Sequence, residues 1–378
     1  MSSSLSQKML YHEVQPQSVK DSYNQYDNVD FLISPGPNRS LVRNSVRVIA
    51  EVAVHSTGNT RSTGGIHIDP RIGAHTFIDS LQVNFSAGGL KENISAYPRY
   101  VAMSSVASLA DSDMLNGKHA CELKATSEVA TEAYCNGITP DLTTATEYTE
   151  NVDFSIKPLC SLNKMTGGDL PFAKSGIVTL TLNLARNESA LYGTSQTTTS
   201  NYSLSNLRVT FNTVPDFKTN EPIEMKTINT VKSNVLSGNA NISANVNAIC
   251  NSVSISFLEQ IQENVSVWNT HNLSDVNGWA ETQYIMNSAT NSLVTYRITD
   301  RTELLERFIS SMYNSGHNSV SVDKYRANKG AGCMGLDFDG EVDLSTNRFT
   351  LQLQSGIGSG VTSTPYVCWM YFHSRVVV

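Results

Sequence analysis

Short segments in which apolar and polar side chains alternate recur along almost the whole chain. The clearest segment covers 177–185, where Val178, Leu180, Leu182 and Leu184 occupy every second position. Such alternation predicts a β-strand with one face on a core. We expect further strands over 45–55, 65–70, 75–85, 152–159, 207–214, 252–260, 293–299, 334–344, 348–356 and 365–378. Ser-, Gly- and Asn-rich connections separate these short segments, so the sequence predicts an all-β protein.

Two segments show helical spacing instead. The first covers 96–110, with Pro98 in its first turn, where a missing N–H costs nothing. The second covers 300–316, where Asp300 begins a capping box and Gly316 ends the helix. The apolar stripe of the second helix predicts core packing, and it consists of Leu304, Leu305, Phe308, Ile309 and Met312.

The pattern of strands and helices repeats in two halves. A segment with two prolines and four charges, 215–225, is the best internal boundary. Each half has about seven or eight strands and one helix inserted midway, which predicts two tandem eight-stranded jelly rolls. The closing strands match best, 152–185 against 334–358. We therefore expect an N-terminal arm over 1–40, a first roll over 41–217 and a second over 218–378.

The charge content favours packed surfaces over nucleic-acid binding. Charged residues make up 16 % of the chain, below the roughly 25 % of an ordinary domain, and Ser, Thr and Asn replace them. Net charge is −7 and the 27 basic residues are scattered, so we expect no direct nucleic-acid binding. No run of apolar residues is long enough to predict a membrane-spanning helix. The N-terminal residues have no apolar signal core, so we expect a cytoplasm-like compartment.

The sequence motifs that could indicate a metal site match the known patterns only in part. Asp337, Asp339 and Glu341 resemble the start of a calcium loop but lack its twelve-residue pattern. We expect these three carboxylates to lie on the solvated face of a strand, and leave metal binding there open. His67, Asp69 and His75 are close in sequence without a metal-ligand spacing.

No nucleophile motif or phosphate loop occurs, so the sequence predicts no catalytic, cofactor-binding or metal-binding residues and no enzyme. The six cysteines are expected to be buried reduced thiols, and they are Cys121, Cys135, Cys160, Cys250, Cys333 and Cys368. Aromatic residues leave a sugar-binding surface as an alternative to core packing, and these are Trp268, Trp279, Trp369, Tyr284 and Tyr366.

With these features the chain resembles the double jelly-roll major capsid proteins of the adenovirus and tectivirus lineage. The resemblance depends on the tandem halves, on the two helices within 92–111 and 300–316, and on the Leu-Pro turn before a long alternating strand in 170–193. It covers most of residues 40–378.

The resemblance implies a homotrimer with a pseudo-six-fold outline that tiles an icosahedral virus shell. It also implies contacts with neighbouring capsomers, with penton and minor capsid proteins, and with an internal membrane or membrane protein. The expected location is the virion, assembled inside the host cell. A viral spike, receptor-binding or penton-type protein and a carbohydrate-binding β-sandwich remain as alternatives.

Overall fold

The structure is a computed structural model. It describes residues 8–57, 66–69, 71–108, 120–123, 147–193, 199–216, 222–235, 240–263, 265, 268–271, 273, 279–288, 292–312, 333–355 and 365–378.

The first half of the chain folds into strands that pair with one another. They are β1 (Leu10–Val14), β2 (Asn28–Ile33), β3 (Arg39–Leu41), β4 (Arg47–Thr57), β5 (Ile66–His67), β6 (Ile78–Phe85), β7 (Lys91–Ile94), β8 (Glu147–Ile156), β9 (Met165–Thr166), β10 (Leu170–Pro171), β11 (Val178–Leu184), β12 (Tyr192–Gly193) and β13 (Thr199–Pro215). Helices α1 (Tyr97–Ser108), α2 (Phe172–Ser175) and α3 (Asn187–Ala190) lie between them. Two antiparallel arrays result, β1–β13–β4–β8 and β2–β11–β6–β7.

The second half forms two arrays of the same size. Its strands are β14 (Glu224–Val235), β15 (Ala240–Ala244), β16 (Ile249–Glu259), β17 (Trp279–Ser288), β18 (Ser292–Ile298), β19 (Cys333–Asp343), β20 (Asn347–Ser355) and β21 (Tyr366–Val377), with helix α4 (Arg301–Ser311) after β18. The arrays are β14–β21–β16–β19 and β15–β20–β17–β18.

Both halves share one connectivity. In each, the first, eighth, third and sixth main strands form one array, and the second, seventh, fourth and fifth form the other. This is the order of a jelly roll. The inserted helix follows the fifth strand in both rolls: α1 follows β7, and α4 follows β18. The prediction of two eight-stranded rolls with inserted helices is confirmed, and the predicted internal match corresponds to the sixth and seventh strands of each roll.

The core forms where the alternating rows predicted it. The four apolar residues of β11 are at most 3 % exposed. Helix α4 begins as expected, because the Asp300 side chain accepts from the backbone N–H groups of Thr302 (2.6 Å) and Glu303 (3.2 Å). Gly316, predicted to end this helix, lies outside the described residues. Gly88 and Gly89 form a turn between β6 and β7 with φ of +74° and +69°, a conformation that favours glycine.

Residues 8–40 of the predicted N-terminal arm contain strands that pair with distant segments of the first half. Strand β1 is the first strand of the first roll and pairs with β13. Strand β2 pairs with β11, and its Phe31 and Ile33 are fully buried. Both partner strands are more than 140 residues away in the chain, so local periodicity carried no signal of the pairing. The predicted boundary falls between β13 and β14, where 217–221 lie outside the described residues.

The two rolls lie side by side and share a sheet. Asn93 of β7 pairs in parallel with Asn229 of β14, and β9 of the first roll pairs with β14 through Met165 and Met225. The sheet that results has nine strands in the described residues. Within this part of the chain, no helix combines the length and apolar character needed to cross a membrane.

Candidate assembly surfaces and the junction between the rolls

The contact between the two rolls, here called the junction, contains the one charged residue of α1. Arg99 is 1 % exposed and donates to the backbone oxygens of Thr270 and of Phe257 (3.4 Å), both in the second roll. Its guanidinium carbon lies 4.2 Å from the ring centroid of Trp369. Burial lowers the pKa of Arg99 to about 10, so the charge persists at neutral pH. Hydrogen bonds to a buried charge and a desolvated cation–π contact are stronger than their exposed equivalents, so Arg99 fastens the rolls together.

A second polar contact crosses the junction at Asp69. This carboxylate is 1 % exposed. It accepts from Arg71 Nη2 at 2.6 Å and from Asn269 Nδ2, in the second roll, at 2.8 Å. Burial opposes ionisation, but Arg71 and the hydrogen bonds outweigh it and hold the pKa of Asp69 below its ordinary value. The ionised side chain thus joins a loop of each roll.

Glu92 of β7 forms a third link. It is 2 % exposed, and its carboxylate accepts from the backbone N–H of Ser161 (2.8 Å) and of Ile228 in β14 (3.0 Å). Burial raises the pKa of Glu92 to about 7 although these hydrogen bonds favour the charged form. Its charge therefore changes within the physiological pH range.

Two groups of neighbouring residues are among the exposed apolar side chains of the described part of the chain. Leu32 of β2 and Ile177 beside β11 are 37 % and 43 % exposed, and the pairing of Leu32 with Thr179 puts them on one face of the sheet. In the second roll, Ile261, Val265 and Trp268 are exposed within one short stretch. Exposed apolar groups of this kind are typical of surfaces that bind another protein.

The three candidate metal ligands lie at an irregular point of β19. Asp339 has a φ of +54° and donates its N–H to Asp337 Oδ1 at 3.0 Å. The pairing with β16 jumps by several residues here, so the expected strand alternation is interrupted. Asp339 and Glu341 are exposed, as expected, and Asp337 is half-buried. In the described part of the chain, no three His, Cys, Asp or Glu residues are arranged to hold a metal ion.

The candidates near β5 have separate partners. Asp69 pairs with Arg71 as described above. His75 is buried, and its Nδ1 lies 2.8 Å from the hydroxyl of Tyr97 while Nε2 lies 3.7 Å from Glu122. The side chain of His67 lies outside the described part.

The described members of the predicted aromatic surface differ in their burial. Tyr284 is fully buried and its ring lies 6.4 Å from that of Phe349 in the core of the second roll. Trp369 is 5 % exposed beneath Arg99, whereas Trp268 is 48 % exposed. The side chain of Trp279 lies outside the described part.

The described cysteines are unpaired thiols. Burial raises the pKa of Cys333 to about 12 and that of Cys250 to about 11, and it also raises the pKa of Cys160 and Cys368. These four thiols stay protonated, as expected of core cysteines. Cys121 is exposed, contrary to the expectation, and Cys135 lies outside the described residues.

The residues that join the rolls were missed by the sequence reasoning. Arg99 is the one charged residue in the apolar helix segment 96–110. Since charged side chains are rarely buried unless they are paired, its position could have indicated a buried polar contact. Glu92 stands in a four-residue strand and carried no comparable signal.

The fold is similar to that of three viral capsid proteins. The Faustovirus major capsid protein has a TM-score of 0.61 and 9 % identity, over 99 % of this chain and 90 % of that chain. VP54 of PBCV-1, which was fitted into a reconstruction of the virophage Sputnik, has a TM-score of 0.58 and 13 % identity, over 98 % of this chain and 95 % of that chain. The mavirus major capsid protein has a TM-score of 0.55 and 12 % identity, over 96 % of this chain and 86 % of that chain.

Comparison by sequence finds no relative: no protein-family model and no curated protein matches this chain. At 9–13 % identity the structural similarity establishes the fold, and it extends over both rolls. The chain therefore has the double jelly-roll fold of viral major capsid proteins.

Proposed function

We propose that this protein is a major capsid protein that self-assembles into an icosahedral virus shell. The observation that carries the proposal is the pair of rolls with one connectivity, held side by side by a shared sheet and a buried polar junction. Because each copy supplies two similar rolls, three copies give a capsomer with a pseudo-six-fold outline. Symmetric self-association of this kind is the usual route to closed assemblies.

The surface chemistry supports the same role. Self-assembly desolvates large areas, and a chain with 16 % charged residues leaves few ions to strand there. The exposed apolar groups around Leu32 and around Trp268 are suited to contacts between copies. Closed rolls also protect strand edges from uncontrolled pairing at the concentrations of assembly.

The alternatives share the composition but lack such support. A viral spike, receptor-binding or penton-type protein would form small oligomers that do not tile. A carbohydrate-binding sandwich needs aromatic side chains that converge on a groove, whereas Tyr284 and Trp369 are buried in separate places.

The proposed partners are other copies of this chain, penton and minor capsid proteins, and an internal membrane or membrane protein. The proposed location is the virion shell, assembled inside the host cell, and the role is structural and not catalytic. We also propose that the rolls divide at 217–221, with β1 and β2 assigned to the first roll.

The test is the mass and shape of the purified chain, by light scattering and negative-stain electron microscopy. We expect compact particles of three times 41.3 kDa with a hexagonal outline that form sheets or shells. A stable monomer or dimer that never tiles would contradict the proposal, and glycan binding would then be the next assay.

A further inference from the structure

A cavity opens between the two rolls where β9 meets β14 and β21. Its volume is about 260 Å³, just below the range of about 300–1,000 Å³ of pockets for drug-sized ligands. Side chains of both rolls line it, including Tyr100, Lys164, Lys226, His373 and Arg375. The size suits a small ion or a single headgroup.

The cavity wall is cationic. Lys164, Lys226 and Arg375 all line it, and no Asp or Glu is among the described lining residues. A carboxylate beside the cavity, Glu224, lies 2.7 Å from Arg375 Nε and pairs with that cation. Glu92 also acts on Lys164 but is itself buried with a raised pKa.

The strand register forces two of these cations together. Lys226 of β14 and Arg375 of β21 are directly opposite one another in the antiparallel pair. Like charges in opposed positions destabilise a sheet. The backbone N–H of Lys226 donates to the carbonyl oxygen of Lys164 at 3.1 Å, which draws the third cation to the same place. A fold that collects repelling charges in a concave site gains stability when an anion fills it.

The remaining cavity groups suit an anion as well. The Lys164 ammonium donates to the Tyr100 hydroxyl at 2.5 Å and lies 4.6 Å from that ring, which orients it at the cavity wall. Burial, and then Lys164 and Lys226, lower the pKa of His373 to about 3. Desolvation, and then Lys164, likewise lower the pKa of Lys226. Burial is the larger cause of both shifts, and the neighbouring cations add to it.

We propose that this cavity binds a phosphate-class dianion, held by Lys164, Lys226 and Arg375. Such an anion accepts charge-assisted hydrogen bonds from several ammonium or guanidinium groups at once. Because the three cations come from both rolls, the bound anion links the rolls across the junction. The anion is either free phosphate or the phosphate of a lipid headgroup. This inference goes beyond the capsid role and does not depend on it.

The first test is the thermal stability of the full chain in rising concentrations of inorganic phosphate, against sodium chloride of equal ionic strength. Wild type is expected to gain stability with phosphate beyond the salt effect. Lys226→Met is expected to weaken the phosphate affinity by about tenfold or more, whereas Lys226→Arg keeps it.

Lys232→Met is the matched control. Lys232 lies on the same strand, about 20 Å along it, and pairs with Glu263 at 2.5 Å. This variant removes the same charge but is expected to keep the full phosphate effect.

A second arm separates the two sources of phosphate, by co-sedimentation with vesicles of phosphatidic acid or of a zwitterionic lipid. Binding to the acidic vesicles that Lys226→Met abolishes, with no effect of free phosphate, assigns the site to a headgroup. A phosphate effect lost in the same variant assigns it to the free ion. The proposal is overturned if neither ligand acts on wild type, or if Lys226→Met and Lys232→Met respond alike.

Discussion

Gly335 of β19 lies where the end of helix α4 touches the sheet, and we expect this glycine to be irreplaceable. A Cβ atom built on Gly335 would lie 2.0 Å from Ser311 Oγ, 2.7 Å from Ser311 Cβ and 3.0 Å from the carbonyl oxygen of Val253. Ser311 cannot yield cheaply, because Ser311 Oγ donates to the Phe308 oxygen at 2.7 Å and the Ser311 oxygen accepts from Ser252 Oγ at 2.6 Å.

The cost of Gly335→Ala follows from these contacts. Overpacking a dense core costs about 1–3 kcal/mol, and losing one of the two hydrogen bonds of Ser311 adds about 1 kcal/mol. We therefore expect Gly335→Ala to lower the free energy of unfolding by about 2–4 kcal/mol, measured by urea unfolding of the unassembled chain. Gly340→Ala is the control on the same strand, because a Cβ there meets nothing within 4 Å. It is expected to change stability by less than about 1 kcal/mol.

Ser311→Gly supplies the decisive comparison. It removes both side-chain atoms that the new methyl group would strike, so adding it to Gly335→Ala is expected to recover part of the loss. A cycle of the two single variants and the double variant measures that coupling. Equal stabilities of Gly335→Ala and Gly340→Ala, or purely additive effects in the cycle, would refute the packing of α4 on β19.

Three further perturbations test the junction and the helix cap. Arg99→Ala is expected to destabilise the chain by about 2–4 kcal/mol, because two carbonyl oxygens and a Trp ring lose a buried cation; exposed Arg348→Ala should cost less than about 0.5 kcal/mol in the same denaturation assay. Asp300→Ala is expected to cost about 1 kcal/mol through the lost cap of α4, whereas no change would show that α4 does not depend on its cap. The pKa of Glu92 is raised from an ordinary 4.5 to about 7, so the neutral side chain favours folding: its stabilising effect is complete below pH 4.5 and is lost as pH rises towards 7. Glu92→Gln should therefore flatten the decline of stability with pH over this window, and identical pH profiles would contradict the assignment.

The strands with strong local patterns were predictable, because burial on one face requires alternation. Val178 to Leu184 and the apolar stripe of α4 were found in this way, and so was the Asp300 cap. The two-roll organisation also followed, because duplicated connectivity leaves the same rhythm of strands twice in the chain.

Other features depended on partners far away in the chain. Strand β2 is polar enough to suggest an arm, yet Phe31 is fully buried because β11 lies beside it. Strand β16 has an alternating pattern that suggests one solvated face, but Ser252 and Ser254 are fully buried. Ser252 Oγ donates to the Ser311 oxygen at the end of α4, and Ser254 Oγ lies 2.9 Å from His373 Nε2. A row of serines in a strand therefore suggests a solvent-exposed face unless the hydrogen-bond partners of the serines are known.

Strands and helices with a strong local pattern, the duplication and the low charge content could be predicted from the sequence, since each depends on neighbouring residues or on composition. Only the tertiary structure shows which strands border the two rolls, that Arg99 and Glu92 join them, and that Lys164, Lys226 and Arg375 line one cavity. Such juxtapositions depend on register between strands that are far apart in the chain, about 150 residues for Lys226 and Arg375. Local sequence cannot encode them visibly, because the free energy that selects a register belongs to the completed sheet and not to either strand.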